Sequence, residues 1–218
     1  QRQMCIRDSI YIDPWKPVDN ALITHAHSDH ARWGMGHYWC HPDSIPILRL
    51  RLGVENNVTG MEYGQIMSVN GVKISLHPAG HIIGSAQVRL EYQGEVWVFT
   101  GDYKWSDDGL SQPFELLKCD HFITESTFGL PVYHFPSAFD VYEDINRWWK
   151  QNQDKGLNTV LLGYSLGKAQ NILKHVDTSI GEVYLHGAVA NVNQALQEVG
   201  YQFPGQRILA ETDRSAIK

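Results

Sequence analysis

The densest chemistry in this 218-residue chain lies in His25-Ala-His27-Ser-Asp29-His30, where three imidazoles and a carboxylate fall within six residues. In a loop, His25 and His27 can point to one side and Asp29 and His30 to another. That offers nitrogen and oxygen donors to two divalent ions a few ångströms apart. The alternative, a polar surface loop that happens to be His-rich, gives no reason for such a density of ligand-type side chains. Two ions held by this segment alone would be underliganded, so further donors must come from elsewhere. Two later positions offer them. His81 stands in Pro-Ala-Gly-His-Ile-Ile-Gly-Ser, where Gly80 and Gly84 give backbone freedom, and Asp102 closes Phe99-Thr-Gly-Asp. Either one alone reads as a strand-end cap or turn residue.

These residues need elements to position them. Apolar runs at Tyr11-Ile12 and at 21–24 precede the polar loops that carry Asp13 and the His cluster. Residues 72–76 (VKISL) alternate apolar and polar, as a half-buried strand does. Residues 87–92 and 95–99 read as strands joined by Gln93-Gly94, a hairpin signal, and 121–124 as another strand. Pro131 and Pro136 then mark a linker, and the rhythm changes. Ser137 with Asp140 three residues on reads as a helix cap. Ala138, Val141, Tyr142, Ile145, Trp148 and Trp149 follow helical spacing. So do Ala169, Ile172, Leu173 and Val176, and later Val189, Val192, Leu196 and Val199. Short strands are expected at 159–162, buried, and at 182–185. Strand and helix alternating in this way imply a parallel α/β unit.

The rest of the sequence bounds the function. A formal net charge of −6 argues against holding nucleic acid by a broad basic surface, but bound divalent metals would add positive charge that this count omits. Three cysteines, Cys5, Cys40 and Cys119, are too few for a disulfide scaffold and read as reduced thiols of a cytoplasmic protein. No apolar run approaches the ~18 residues of a membrane span, so no membrane association is expected. Residues 1–9 (QRQMCIRDS) lack periodicity, resemble translated adapter sequence, and are set aside as a non-native leader. The end at Lys218, soon after Phe203-Pro204-Gly205, reads as the end of a fragment.

The order of these features resembles the metallo-β-lactamase superfamily: His-x-His-x-Asp-His, then Gly-His81, then Gly-Asp102, with Asp13 of Tyr-Ile-Asp-Pro similar to the Asp of its first motif. Residues 124–129 (TESTFG), with Glu125, are similar to the acidic motif of the β-CASP branch of nucleic-acid nucleases. Residues 163–170 (GYSLGKAQ) are similar to a segment of the β-CASP domain. Residues 11–33 (YIDPWKPVDNALITHAHSDHARW) resemble bacterial exonucleases associated with an ATP-dependent DNA ligase.

The resemblance implies an α/β fold. It would be an αββα sandwich, incomplete over 10–135, with a β-CASP domain, truncated, at 136–218. It implies two divalent ions, zinc or alternatively manganese. His25, His27 and His81 would hold one, Asp29 and His30 the other, and Asp102 would bridge both. Asp13 would support the site. It implies hydrolysis of a phosphodiester of DNA, in end processing or repair. Asp29 would orient or deprotonate the nucleophile, and Glu125 would position a His that protonates the leaving oxygen. Two later family motifs, Ser-x-His-Ala-Asp and a terminal His, do not occur in these residues. His186-Gly187 comes too early for the latter and reads as a cap.

Weaker candidates remain. Ser85 could meet a phosphate or cap its turn. Lys168 could meet a phosphate near a helix start or simply be solvated. Leu166-Gly167-Lys168 lacks the glycine spacing of a P-loop. Trp148-Trp149 reads as core with one exposed ring, Cys40-His41 as structural, and His37, His77, His121, His134 and His175 carry no role. The competing functions are an RNA-processing β-CASP ribonuclease, a small-molecule metallo-hydrolase of the same superfamily, and a non-catalytic metal-binding module.

Overall fold

The computed structural model describes residues 4–6 and 9–208, of which 4–6 by backbone alone. It is mixed α/β, with four α-helices among the described residues, and divides into two compact units between Thr127 and Phe128. That division falls a few residues before the expected Pro131–Pro136 linker.

The first unit contains two five-stranded sheets. One has the order β1 (Met4–Ile6), β2 (Ile10–Ile12), β3 (Asn20–Leu22), β4 (His37–Cys40), β5 (Val58–Gly60), antiparallel between β1 and β2 and parallel thereafter. The segment set aside as a leader thus includes the edge strand β1. The second sheet is a meander of β6 (Ile66–Val69), β7 (Val72–Pro78), β8 (Ala86–Tyr92) and β9 (Glu95–Phe99), with β10 (His121–Ile123) added parallel to β9. Gln93 and Gly94 both take positive φ in the β8–β9 turn, the conformation that suits a two-residue hairpin.

The two sheets share one core. Ile10, Ile12 and Leu22 of the first pack with Val72, Ile74, Leu76, Ala86 and Val88 of the second. Burying such aliphatic side chains stabilises the unit by about 1.5–3 kcal/mol each. Helix α1 (Ile45–Leu52) buries Ile47, Leu48 and Leu52. The sequence IPILRLRL is apolar in nearly every first-half position, so no helical stripe announces it.

Directions decide where function can sit. β7, β9 and β10 run the same way, and β2 and β3 run parallel to each other. Asp13, His25, His81, Asp102 and Glu125 each follow the C-terminal end of one of these strands.

The second unit contains α2 (Ala138–Asp154), α3 (Lys168–His175) and α4 (Gly187–Gln197). Strand β11 (Tyr184–Leu185) pairs parallel with β12 (Gln206–Arg207) across α4, a strand–helix–strand unit whose second strand was not expected from sequence. Three details differ from expectation. Residues 159–162 form no strand, and Val160, Leu161 and Leu162 are exposed, because an apolar run becomes a strand only where a ladder partner lies beside it. The strand at 182–185 is confined to Tyr184–Leu185. Ser137 makes no side-chain cap to α2, and Trp148 is exposed on a helix with no buried residue, so the tryptophan pair is not core within the described residues.

Candidate metal centre

The five strand ends are stitched together by backbone hydrogen bonds. Asp13 donates to the Leu22 carbonyl, Ala86 to Thr24, and Lys104 to Ala79, at 3.0, 2.8 and 3.0 Å. These tie the His25 strand to β8 and the Asp102 loop to the His81 loop. Glycine permits the close approach at two points. A Cβ on Gly101 (φ +57°) would lie 2.7 Å from the Thr24 side chain, and one on Gly80 (φ +72°) would collide with the Lys104 carbonyl.

Four side chains converge in the space so formed. One ligand atom from each of His25, His27, His81 and Asp102 lies within 4.8 Å of the others. His27 Nδ1 is 3.0 Å from His25 Nε2 and 3.3 Å from His81 Nε2. Asp102 Oδ2 is 3.7 Å from both His25 Nε2 and His81 Nε2. Zinc–nitrogen bonds of about 2.1 Å in a tetrahedron place neighbouring donors roughly 3.4 Å apart. The observed spacings straddle that value, so the donor set fits a divalent ion. The other Asp102 oxygen, Oδ1, faces away to His30 Nε2 at 3.4 Å, and His30 Nε2 is 3.7 Å from Asp29 Oδ2. The two Asp102 oxygens therefore address two different groups of donors.

Supporting residues fix the ring orientations. Asp13 accepts from the Thr24 amide at 2.8 Å and from Thr24 Oγ1 at 2.7 Å. With its proton committed to Asp13, Thr24 Oγ1 can only accept from His25 Nδ1, at 3.1 Å. That leaves the Nε2 lone pair of His25 aimed into the cluster. The same Asp13 carboxylate takes His30 Nδ1 at 2.7 Å, so His30 also presents Nε2 inward. This is the carboxylate–histidine support typical of metal ligands. Asp13 adopts φ +43°, a left-handed conformation that Asp tolerates better than most residues.

The electrostatics follow from this geometry. Burial, and then repulsion from the neighbouring imidazoles, holds His25 well below its ordinary pKa. The same causes bring His81 down to about 4. These rings are neutral donors at physiological pH. His30 behaves differently: burial opposes its charge, but the hydrogen bond and charge of Asp13, helped by Asp102 and Asp29, outweigh it and raise its pKa. Burial raises the pKa of Asp102, with Glu125 and Asp29 adding to the shift against the pull of His30. Glu125 thus acts electrically on both Asp102 and His81, and its Oε2 caps the Thr127 amide at 2.5 Å.

The structure assigns the remaining candidates local roles. Ser85 is buried, and its Oγ accepts from the amides of His81 and Ile82 at 3.0 and 3.2 Å. It caps the turn that presents His81, and this burial replaces the phosphate contact considered from sequence. Lys168 is an exposed first residue of α3 in the second unit. His186 caps α4 by accepting from the Ala188 amide, and His41 caps the short 3-10 turn Pro42–Ser44 and stacks on Tyr63. Sequence reasoning missed Thr24, which orients His25, and Arg51, which interacts electrostatically with Asp29 and His25. A threonine flanking a ligand histidine was the only signal for the first; Arg51 had none.

No family model matches the chain. It is 32% identical over 201 residues to a "Probable DNA ligase" of Opitutus terrae, covering 90% of this chain and 20% of that protein. It is 34% identical over 124 residues to "Endoribonuclease YSH1" of Yarrowia lipolytica, covering 56% of this chain and 15% of that one. It is 29% identical over 157 residues to "DNA cross-link repair protein SNM1" of Arabidopsis thaliana, covering 67% and 32%. The chain thus spans at most about a third of these relatives. A solved structure of a protein of unknown function from Enterococcus faecalis superposes with a TM-score of 0.60 at 15% identity, over 88% of this chain and 51% of that one.

Proposed function

Because the chain belongs to the β-CASP branch of the metallo-β-lactamase superfamily, we propose that it is the metal-binding part of a nuclease that hydrolyses DNA phosphodiesters. On this reading the first unit is the superfamily's αββα sandwich and the second its inserted β-CASP domain. The observation that carries the proposal is the convergence of His25, His27, His81 and Asp102, with Asp102 turning its second oxygen toward His30.

His25, His27, His81 and Asp102 would hold one divalent ion, and Asp29, His30 and Asp102 a second. Ions bound there, zinc or manganese, supply positive charge to the phosphoryl oxygens and acidify water near neutral pH. The chain's own residues do the rest. Asp29, whose carboxylate is 68% exposed, can accept the proton of the attacking water. Asp13 and Thr24 hold the imidazoles in the donor tautomer. Glu125 is a positioning residue on the side of His81 and Asp102. The acidic chain would tolerate a polyanion there, because ions held by these residues would add positive charge locally.

A partner DNA ligase is supported by the Opitutus relative's name alone, and DNA by that name and the SNM1 name. The similarity to a protein named as an endoribonuclease favours RNA as the second reading. Labelled single-stranded DNA and RNA of one sequence, offered with zinc or manganese, decide between them. Asp29→Ala should abolish cleavage while leaving the fold intact; full activity in that variant contradicts the mechanism.

A further inference from the structure

Trp15 follows Asp13 by two residues, and Arg32 follows His30 by two. The 2.7 Å bond between His30 and Asp13 pins the two loops together, and beside it the Arg32 guanidinium lies 4.3 Å from the Trp15 ring centroid. Arg32 is held from its other side, with Nε 3.4 Å from the backbone oxygen of Asp29. A large ring is thus fixed at a short chain distance from a site side chain on each loop, yet 52% of its surface is exposed.

Two further tryptophans stand alike. Trp33 lies three residues after His30 and Trp105 three after Asp102, and each is 70% exposed. An exposed tryptophan backed by an arginine, on loops that carry donors suited to divalent ions, has the composition of a surface that stacks bases.

We propose that Trp15, backed by the Arg32 guanidinium, is a nucleobase-stacking element beside the candidate metal centre. The inference rests on the nuclease reading of the same site and names a positioning residue for it. Trp15 is a positioning residue in this account: it sets which phosphodiester lies over the cluster by holding the base next to it. Stacking of this kind is worth about 1–3 kcal/mol per base, enough to set register without sequence preference.

The test is binding of a fluorescein-labelled oligothymidylate by anisotropy, in EDTA and low salt, with the whole chain. Trp15→Ala should weaken binding about tenfold, and Trp15→Phe should restore most of it. Abasic positions in the oligonucleotide should cost the wild type a similar factor and cost Trp15→Ala almost nothing. A merely structural tryptophan would shift the thermal midpoint and leave the abasic penalty unchanged. Equal affinity of wild type and Trp15→Ala, an abasic penalty that persists in the variant, or no binding by the wild type overturns the inference. Binding that depends on Trp15 in a chain that cleaves neither DNA nor RNA with zinc or manganese sinks the nuclease reading and leaves the stacking element standing.

Discussion

The two halves of the candidate metal centre are built differently. On one side His25, His27 and His81 bring three ring nitrogens to within about the spacing of a tetrahedral site, with His25 wholly buried and His81 held neutral down to about pH 4. On the other side the bond to Asp13 raises the pKa of His30 against the effect of burial, and its companion Asp29 is largely exposed. Rigid neutral donors favour tight binding, because neither proton release nor ordering opposes it. On the nuclease reading, the exposed half would bind more weakly and would face the substrate. That asymmetry would suit the proposed hydrolysis: His25, His27 and His81 would anchor one ion, while Asp29 and His30 would leave the other side open to water and phosphate. Asp102 joins the two halves, one oxygen to each.

Removing that joint has the largest expected effect. Asp102→Ala should lose the weak ion outright, loosen the tight one, and reduce oligonucleotide cleavage by about a thousandfold or more, the equivalent of several kcal/mol of transition-state stabilisation. Asp29→Ala should separate the halves. The tight ion stays at stoichiometric level, while activity falls to background in a gel assay.

Asp13→Asn should cost about 10–100-fold in affinity for the second ion or in activity, because it loosens the carboxylate support of His30. A microcalorimetric zinc titration reads this, and an unchanged second binding step contradicts it.

The metal-free protein should lose stability as pH falls from about 6.5, the ordinary imidazole value, to about 4. His25 and His81 have lowered pKa values in the folded chain, so the unfolded chain binds protons first in that window. His30 and Asp102, raised less strongly, act in the opposite direction without reversing the trend. Thermal midpoints in EDTA across this range check the sign, and a midpoint that climbs toward acid contradicts it. Ser85→Ala should have the smallest effect. It deprives the His81 and Ile82 amides of their acceptor at a cost of about 1–3 kcal/mol, seen as a lower thermal midpoint.

Much of the centre was legible in sequence because it is local: His25 to His30 carry their chemistry in one loop, and Gly-His81 and Gly-Asp102 end apolar strands. What joins these pieces is not local. The Ala86–Thr24 and Lys104–Ala79 hydrogen bonds depend on how two sheets pack, and Arg51 reaches the site only because α1 packs as it does. The expected strand at 159–162 shows the opposite failure. Thr-Val-Leu-Leu has the composition of a buried strand, but composition supplies no ladder partner. The helices of the second unit were legible from apolar spacing, whereas α1, with no clean stripe, was not.

Metal content of the wild type, Asp29→Ala and Asp102→Ala, measured by mass spectrometry after dialysis against submicromolar zinc, tests the shared role of Asp102 most directly. The geometry predicts that Asp29→Ala keeps one tightly held ion per chain and that Asp102→Ala keeps less than one. An Asp102→Ala protein that retains as much zinc as the wild type would contradict a centre whose two halves meet at that carboxylate.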